Sequence, residues 1–156
     1  MKIREFQSEL WLPLPPEELF PFFADAANLD AITPPWLNFH ITTPPPIVMR
    51  EGTLIDYRLR VRGLPLRWRT LIKQWQPPHR FVDEQLRGPY RQWIHTHTFE
   101  PRDGGTLARE VVKYSVPFDF IAHPLFVRRD VEKIFSFRQE ALQQRFGRVA
   151  KRASCA

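Results

Sequence analysis

Asp83, His95, His97 and Glu110 are the residues of this chain whose types and spacing suit chemistry. A histidine beside carboxylates can hold or move a proton near neutral pH, so His95 with Asp83 or Glu110 is the candidate acid–base set. The same groups can orient a polar ligand atom in an otherwise apolar pocket. They can equally form a buried polar network, because a covered carboxylate needs a partner and a histidine serves. The sequence leaves these three readings open. His95 and His97 at alternate strand positions could also share a metal with Asp83. No further ligand at a diagnostic spacing accompanies them, so no metal and no other cofactor is expected. His40, His79 and His123 have no such company, and the last two adjoin prolines and read as loop residues.

The elements that must position these groups are strands. Successive side chains of a strand point to opposite faces, so residues two apart share one. Phe81, Asp83 and Gln85 share a phase, as do Trp93, His95, His97 and Phe99, and Glu110, Val112 and Tyr114. Trp68, Thr70 and Ile72 form the apolar phase of the strand before them, and Tyr57 belongs to that of the one before that. The aromatics argue that this face is covered. A turn at Gly88-Pro89-Tyr90 sets Asp83 opposite His95 and Gln85 opposite Trp93. A hairpin loop over residues 101–104 sets His95 opposite Glu110 and His97 opposite Ala108. His95 is then expected between two carboxylates.

The whole chain reads as strand, one or two short helices, six strands and a long helix. The first strand covers residues 3–12. Pro13-Leu14-Pro15-Pro16 leads into a helix whose first turn holds Glu17 and Glu18, with Pro21 limiting or kinking it. A second short helix covers 26–32. Leu37, Phe39 and Ile41 begin the next strand, and Gly63-Leu64-Pro65 turns the chain between two further strands. Asp103-Gly104-Gly105 is a hairpin signal. Val127, Val131, Ile134, Phe135, Leu142 and Phe146 recur at helical spacing over 125–146, with Gly147 as C-cap. Short turns between successive strands imply an antiparallel meander. The long helix is the only element large enough to cover its apolar face.

The run 81–99, FVDEQLRGPYRQWIHTHTF, with Gly104-Gly105-Thr106 and then Glu110, Val112 and Tyr114, resembles the SRPBCC (START/Bet v 1-like) superfamily, in its bacterial cyclase/dehydrase-like branch. That branch often has aspartate where this chain has Glu110. The resemblance implies an α+β helix-grip fold: a curved antiparallel sheet of about seven strands wrapped around a C-terminal helix. It also implies binding of a small hydrophobic molecule, lipid-like or polycyclic, between sheet and helix. A cyclase- or dehydratase-type enzyme is the alternative. Tyr57, Trp68, Thr70, Phe81, Asp83, Gln85, Trp93, His95, His97, Glu110, Val112 and Tyr114 are the expected cavity wall, with Val131, Ile134 and Phe135 as its lid.

The chain has 156 residues, of which 43% are apolar, enough for one domain with its own core. The domain is expected over residues 1–148, with 149–156 a basic, disordered tail. The one cysteine, Cys155, excludes an internal disulfide and fits a reducing, cytoplasmic setting. No apolar run suits a membrane span or signal core. The formal charge is +6. Arg58, Arg60, Arg62, Arg67 and Arg69, with Lys73, fall on the outer strand phase. They form a basic stripe that is either a solvated face or a contact for an anionic membrane or acidic protein. No aromatic residue interleaves it, which argues against nucleic acid.

Overall fold

A computed structural model describes the backbone of residues 1–154 and the side chains of residues 1–147. Strand β1 (Arg4–Leu12) is followed by helix α1 (Pro16–Ala24) and two 3-10 segments, Ala26–Ile32 and Pro35–Leu37. Then come β2 (His40–Ile41), β3 (Leu54–Val61), β4 (Leu64–Gln76), β5 (Arg80–Arg87), β6 (Gln92–Arg102) and β7 (Gly105–Ser115). A short helix α2 (Asp119–Ala122) and one π turn (His123–Val127) lead into α3 (Arg128–Ser154). The strands form one antiparallel sheet in the order β1-β7-β6-β5-β4-β3-β2. This is the helix-grip fold. No helix among the described residues is long and apolar enough to cross a membrane.

Local chemistry accounts for each element. Pro16 opens α1, where its missing N–H costs nothing, and Glu17 and Glu18 sit at the positive end of the helix. Leu19, Phe20 and Phe22 are buried against Leu12, Phe81 and Phe99 at one end of the sheet. Val131 and Phe135 of α3 pack on Val112, Tyr114 and Val116. Arg4 and Asp119 clip the start of β1 to α2 at 2.7 Å.

Several sequence expectations need correction. The strand over 37–41 shrinks to His40–Ile41, because Pro35–Leu37 forms a 3-10 turn that Asn38 ends in the left-handed conformation. The β3–β4 turn is Arg62-Gly63, both at positive φ, so Leu64 and Pro65 already lie in β4 opposite Val61 and Arg60. The β6–β7 loop is likewise two residues, Asp103-Gly104 with φ 49° and 75°, not four. Positive φ at both positions matches the twist of the flanking strands, which favours the tighter turn. Gly147 does not cap α3, which continues to Ser154; a capping glycine adopts positive φ, and Gly147 does not. The tail expected over 149–156 falls on residues whose side chains, and at 155–156 whose backbone, lie outside the described ones.

Candidate functional site

A cavity of about 1050 Å³ lies between the concave face of the sheet and α3. Its walls are mainly apolar and include several aromatic rings. Trp68 packs edge-on against Trp93 at 5.6 Å and stacks with Tyr57 at 5.9 Å. Ile134 and Phe135 close it from the helix, and Phe81 from β5. Thr70 accepts from Trp68 Nε1 at 3.1 Å and shares a hydrogen bond with the Tyr57 hydroxyl at 2.9 Å. Burial raises the Tyr57 phenol far above its ordinary range, so it stays protonated.

Asp83, His95 and His97 also line this cavity, and Glu110 stands behind them. Asp83 is opposite His95 across β5 and β6, as expected. The tight β6–β7 turn slides β7 by two residues relative to expectation. Glu110 is therefore opposite His97, and His95 is opposite Val112. A slip of two keeps the face and changes the partner. His97 makes the hydrogen bond to Asp83, Nε2 to Oδ2 at 2.8 Å. His95 approaches the same oxygen at 3.7 Å and Glu110 Oε1 at 3.5 Å, outside good hydrogen-bonding geometry. The rings of His95 and His97 lie 3.8 Å apart, and His97 stacks on Phe81 at 3.9 Å.

Five expected wall residues face elsewhere. Gln85 closes the β5–β6 turn, donating to the Tyr90 carbonyl at 2.7 Å. Glu110 lies under His97, away from the main cavity. Val112, Tyr114 and Val131 are packed in the core. The Tyr114 hydroxyl instead meets His123 Nε2 at 2.9 Å, so His123 is a buried residue and not a loop histidine.

One residue of the cluster was not anticipated. Arg138 on α3 is buried and sits 2.6 Å from Glu110 Oε1. It falls between Phe135 and Leu142 on the buried stripe of α3, where an apolar residue is expected. An arginine on an apolar helical stripe was the available signal. Trp75 was also missed. A β-bulge between Ile72 and Gln74 inverts the strand phase and turns Trp75 inward opposite Phe81.

The cluster balances its charges. Burial pushes the Glu110 carboxyl up, but Arg138 and the two histidines outweigh it and hold Glu110 well below the usual carboxylate range. Burial likewise opposes ionisation of Asp83, yet His95, His97 and Arg138 keep it low. Burial pushes His97 down, but its contacts to Asp83 and Glu110 overcome this and raise it. His95 is lowered, by burial first and His97 second. The arrangement thus sets two carboxylates against Arg138 and a His97 whose proton affinity is raised, with that of His95 lowered. Asp83, His95 and His97 offer ligand atoms within 4.8 Å of one another. Closing them on a metal ion would break the His97–Asp83 hydrogen bond and add positive charge to a cluster already balanced by Arg138.

The outer basic stripe is interrupted. Arg58 and Arg67 are opposed and exposed, and Arg60 is exposed beside them. Arg69 is paired with Asp56 at 2.8 Å and Lys73 with Glu84 at 3.0 Å. Arg62 leaves the stripe: its place in the tight turn carries it over the rim to Asp130 of α3, at 2.9 Å.

With this geometry in place, the sequence matches over residues 12–143 a family model described as polyketide cyclase / dehydrase and lipid transport. The chain belongs to this family. No curated protein matches this sequence. Among solved structures, it resembles protein CV1439 from Chromobacterium violaceum, with 15% identity and a TM-score of 0.72 over 92% of this chain and 97% of that one. It is similar to Ara h 8.0201, at 18% identity and TM-score 0.64, again over 92% and 97%. Major latex-like protein 151 from Panax ginseng has 7% identity and TM-score 0.67 over the same shares. At such identities the likeness is one of fold.

Proposed function

We propose that this protein binds a small, largely apolar molecule, lipid-like or polycyclic, that carries one polar group. The supporting observation is the largely apolar cavity of about 1050 Å³ with the polar cluster of Asp83, His95, His97 and Arg138 in its wall. That volume suits a ligand of drug size or slightly larger. The apolar body packs between Trp68, Trp93 and Ile134. The polar end meets His95, which as a neutral ring offers one donor and one acceptor. His97 and Arg138 hold the carboxylates in place and position His95. The domain comprises residues 1–148 and works in the cytoplasm, where a chain with one cysteine needs no disulfide. Its outer face offers Arg58, Arg60 and Arg67 to an acidic protein partner.

A second reading is acid–base chemistry of cyclase or dehydratase type. The opposed shifts of two adjacent histidines, His95 down and His97 up, favour it, since groups of unlike proton affinity pair a base with an acid. Here His95 and Asp83 face the substrate, and Glu110 does not. Native mass spectrometry of protein purified from its own host tests both readings. A stoichiometric bound molecule supports binding. Conversion of that molecule, or of a candidate polyketide, on incubation supports the enzyme. Protein that neither retains nor takes up any apolar molecule would sink both.

A further inference from the structure

Residues 118–127 link β7 to α3, and their large apolar side chains face outward. Phe118 is 73% and Phe120 76% exposed, and Ile121, Leu125 and Phe126 are exposed with them. Leu64, also exposed, stands at the start of β4, at the same end of the sheet. Isolated surface hydrophobes are ordinary, but a contiguous group of this kind marks an interaction site. Phe118 adds a second observation. Its φ of 53° lies in the left-handed region, where asparagine or glycine is tolerated and a bulky aromatic is disfavoured. The chain keeps a phenylalanine in a strained conformation without burying it.

The charges around this tip are positive. The Arg62 guanidinium lies over the Phe126 ring at 4.8 Å. Arg128 and Arg129 follow directly in sequence, and Lys2 is close enough to Asp119 to help lower its carboxyl. The local carboxylates are already taken: Asp119 by Arg4 at 2.7 Å, Asp130 by Arg62 at 2.9 Å and Glu132 by Arg128 at 3.0 Å. Lys2 and Arg129 have no carboxylate partner among the described residues.

We propose that this end of the molecule docks on an anionic lipid bilayer. The side chains of Phe118, Phe120, Ile121, Leu125 and Phe126 enter the interface and the basic collar meets the headgroups. The cavity reaches the same rim, where Arg62, Gly63, Pro89, Ala122 and Val127 line it. Docking therefore sets the cavity rim against the phase in which apolar molecules dissolve. That consequence rests on the ligand reading above; the docking itself does not.

The test is co-sedimentation of the full chain with vesicles of phosphatidylcholine mixed with phosphatidylglycerol, and of phosphatidylcholine alone. The protein should pellet with the mixed vesicles, at least about tenfold more weakly with the neutral ones, and less as salt rises. Phe118→Asn combined with Phe120→Ser should weaken binding at least about tenfold. Its melting temperature should be unchanged or higher, because asparagine suits the left-handed position. Leu125→Ser, at an ordinary backbone position, should weaken binding independently. Arg58→Ala with Arg67→Ala, on the outer face, should leave it intact. Absence of vesicle binding by the native chain, or full binding by both tip variants, overturns the proposal. So does loss of binding on changing Arg58 and Arg67 alone. A dimer in light scattering that the tip variant dissociates, without vesicle binding, would assign the tip to self-association instead. Ligand retention by a tip variant that no longer binds vesicles would leave the cavity reading intact and separate the two ideas.

Discussion

His97 faces Glu110 across β6 and β7, with Nδ1 3.2 Å from Oε1, while its other nitrogen holds Asp83 at 2.8 Å. One imidazole thus joins a half-buried carboxylate, Asp83, to a buried one, Glu110, and Arg138 caps the second from α3. Four groups from four elements are tied together through these contacts, which makes each hard to remove alone.

Arg138→Met should destabilise the fold by about 3–5 kcal/mol, because Glu110 then loses its closest cation in a buried site. Arg138→Met combined with Glu110→Leu should recover most of that loss, since an apolar pair replaces the ion pair. Urea denaturation of the two single variants and the double variant closes the cycle. A double variant as unstable as the sum of the singles would show that Arg138 and Glu110 are not coupled.

His95→Gln should change stability by no more than about 1.5 kcal/mol, as it removes a neutral group without aligned hydrogen bonds. Affinity for the molecule recovered from the host should fall about tenfold with the loss of one polar contact. His97→Gln should behave in the opposite sense, with a large stability loss. Thermal unfolding and ligand titration on the same samples separate the two. Equal stability losses at both positions would make His95 a structural residue.

The pH dependence has two limbs. Asp83 and Glu110 are lowered from 3.8 and 4.5, so their contribution is complete above those values and is lost as acid protonates the folded state. His97 is raised from 6.5, so its contribution is complete below that pH and fades as pH rises through the folded value. His95, lowered from the same value, imposes a penalty in acid that is gone above 6.5. Stability should decline in the native chain as pH rises from 6.5 through the folded-state value of His97. In His97→Gln that particular decline should be missing, as guanidinium midpoints across the range would reveal.

Gly105→Ala should cost about 1–3 kcal/mol, because a Cβ there runs into the Leu12 carbonyl where β1 pairs with β7. Gly104→Ala should cost less, about 1 kcal/mol, from φ strain in an open turn. The order of the two melting temperatures is the check. Reversal would mean that the β1–β7 contact relaxes easily.

Strand phase was legible in the sequence because it depends only on alternation. Phe81, Asp83, Trp93, His95 and His97 could be assigned to one covered face from spacing alone, and the long apolar stripe after Pro124 announced its cover. The Asp83–His95 pairing followed from the Gly88-Pro89-Tyr90 turn. The partner of Glu110 did not follow, because it depends on whether the Asp103-Gly104 turn holds two residues or four, and both keep the same face. Trp75 was hidden by a bulge, which breaks alternation without a mark in composition. Arg138 belongs to the site only because α3 crosses the sheet above Glu110, and no local pattern encodes where two distant elements meet. Alternation and helical period are properties of neighbours along the chain; the charge balance of the cluster is a property of segments far apart in sequence. Packing decided it, by bringing Asp83 and Glu110 together with His95, His97 and Arg138.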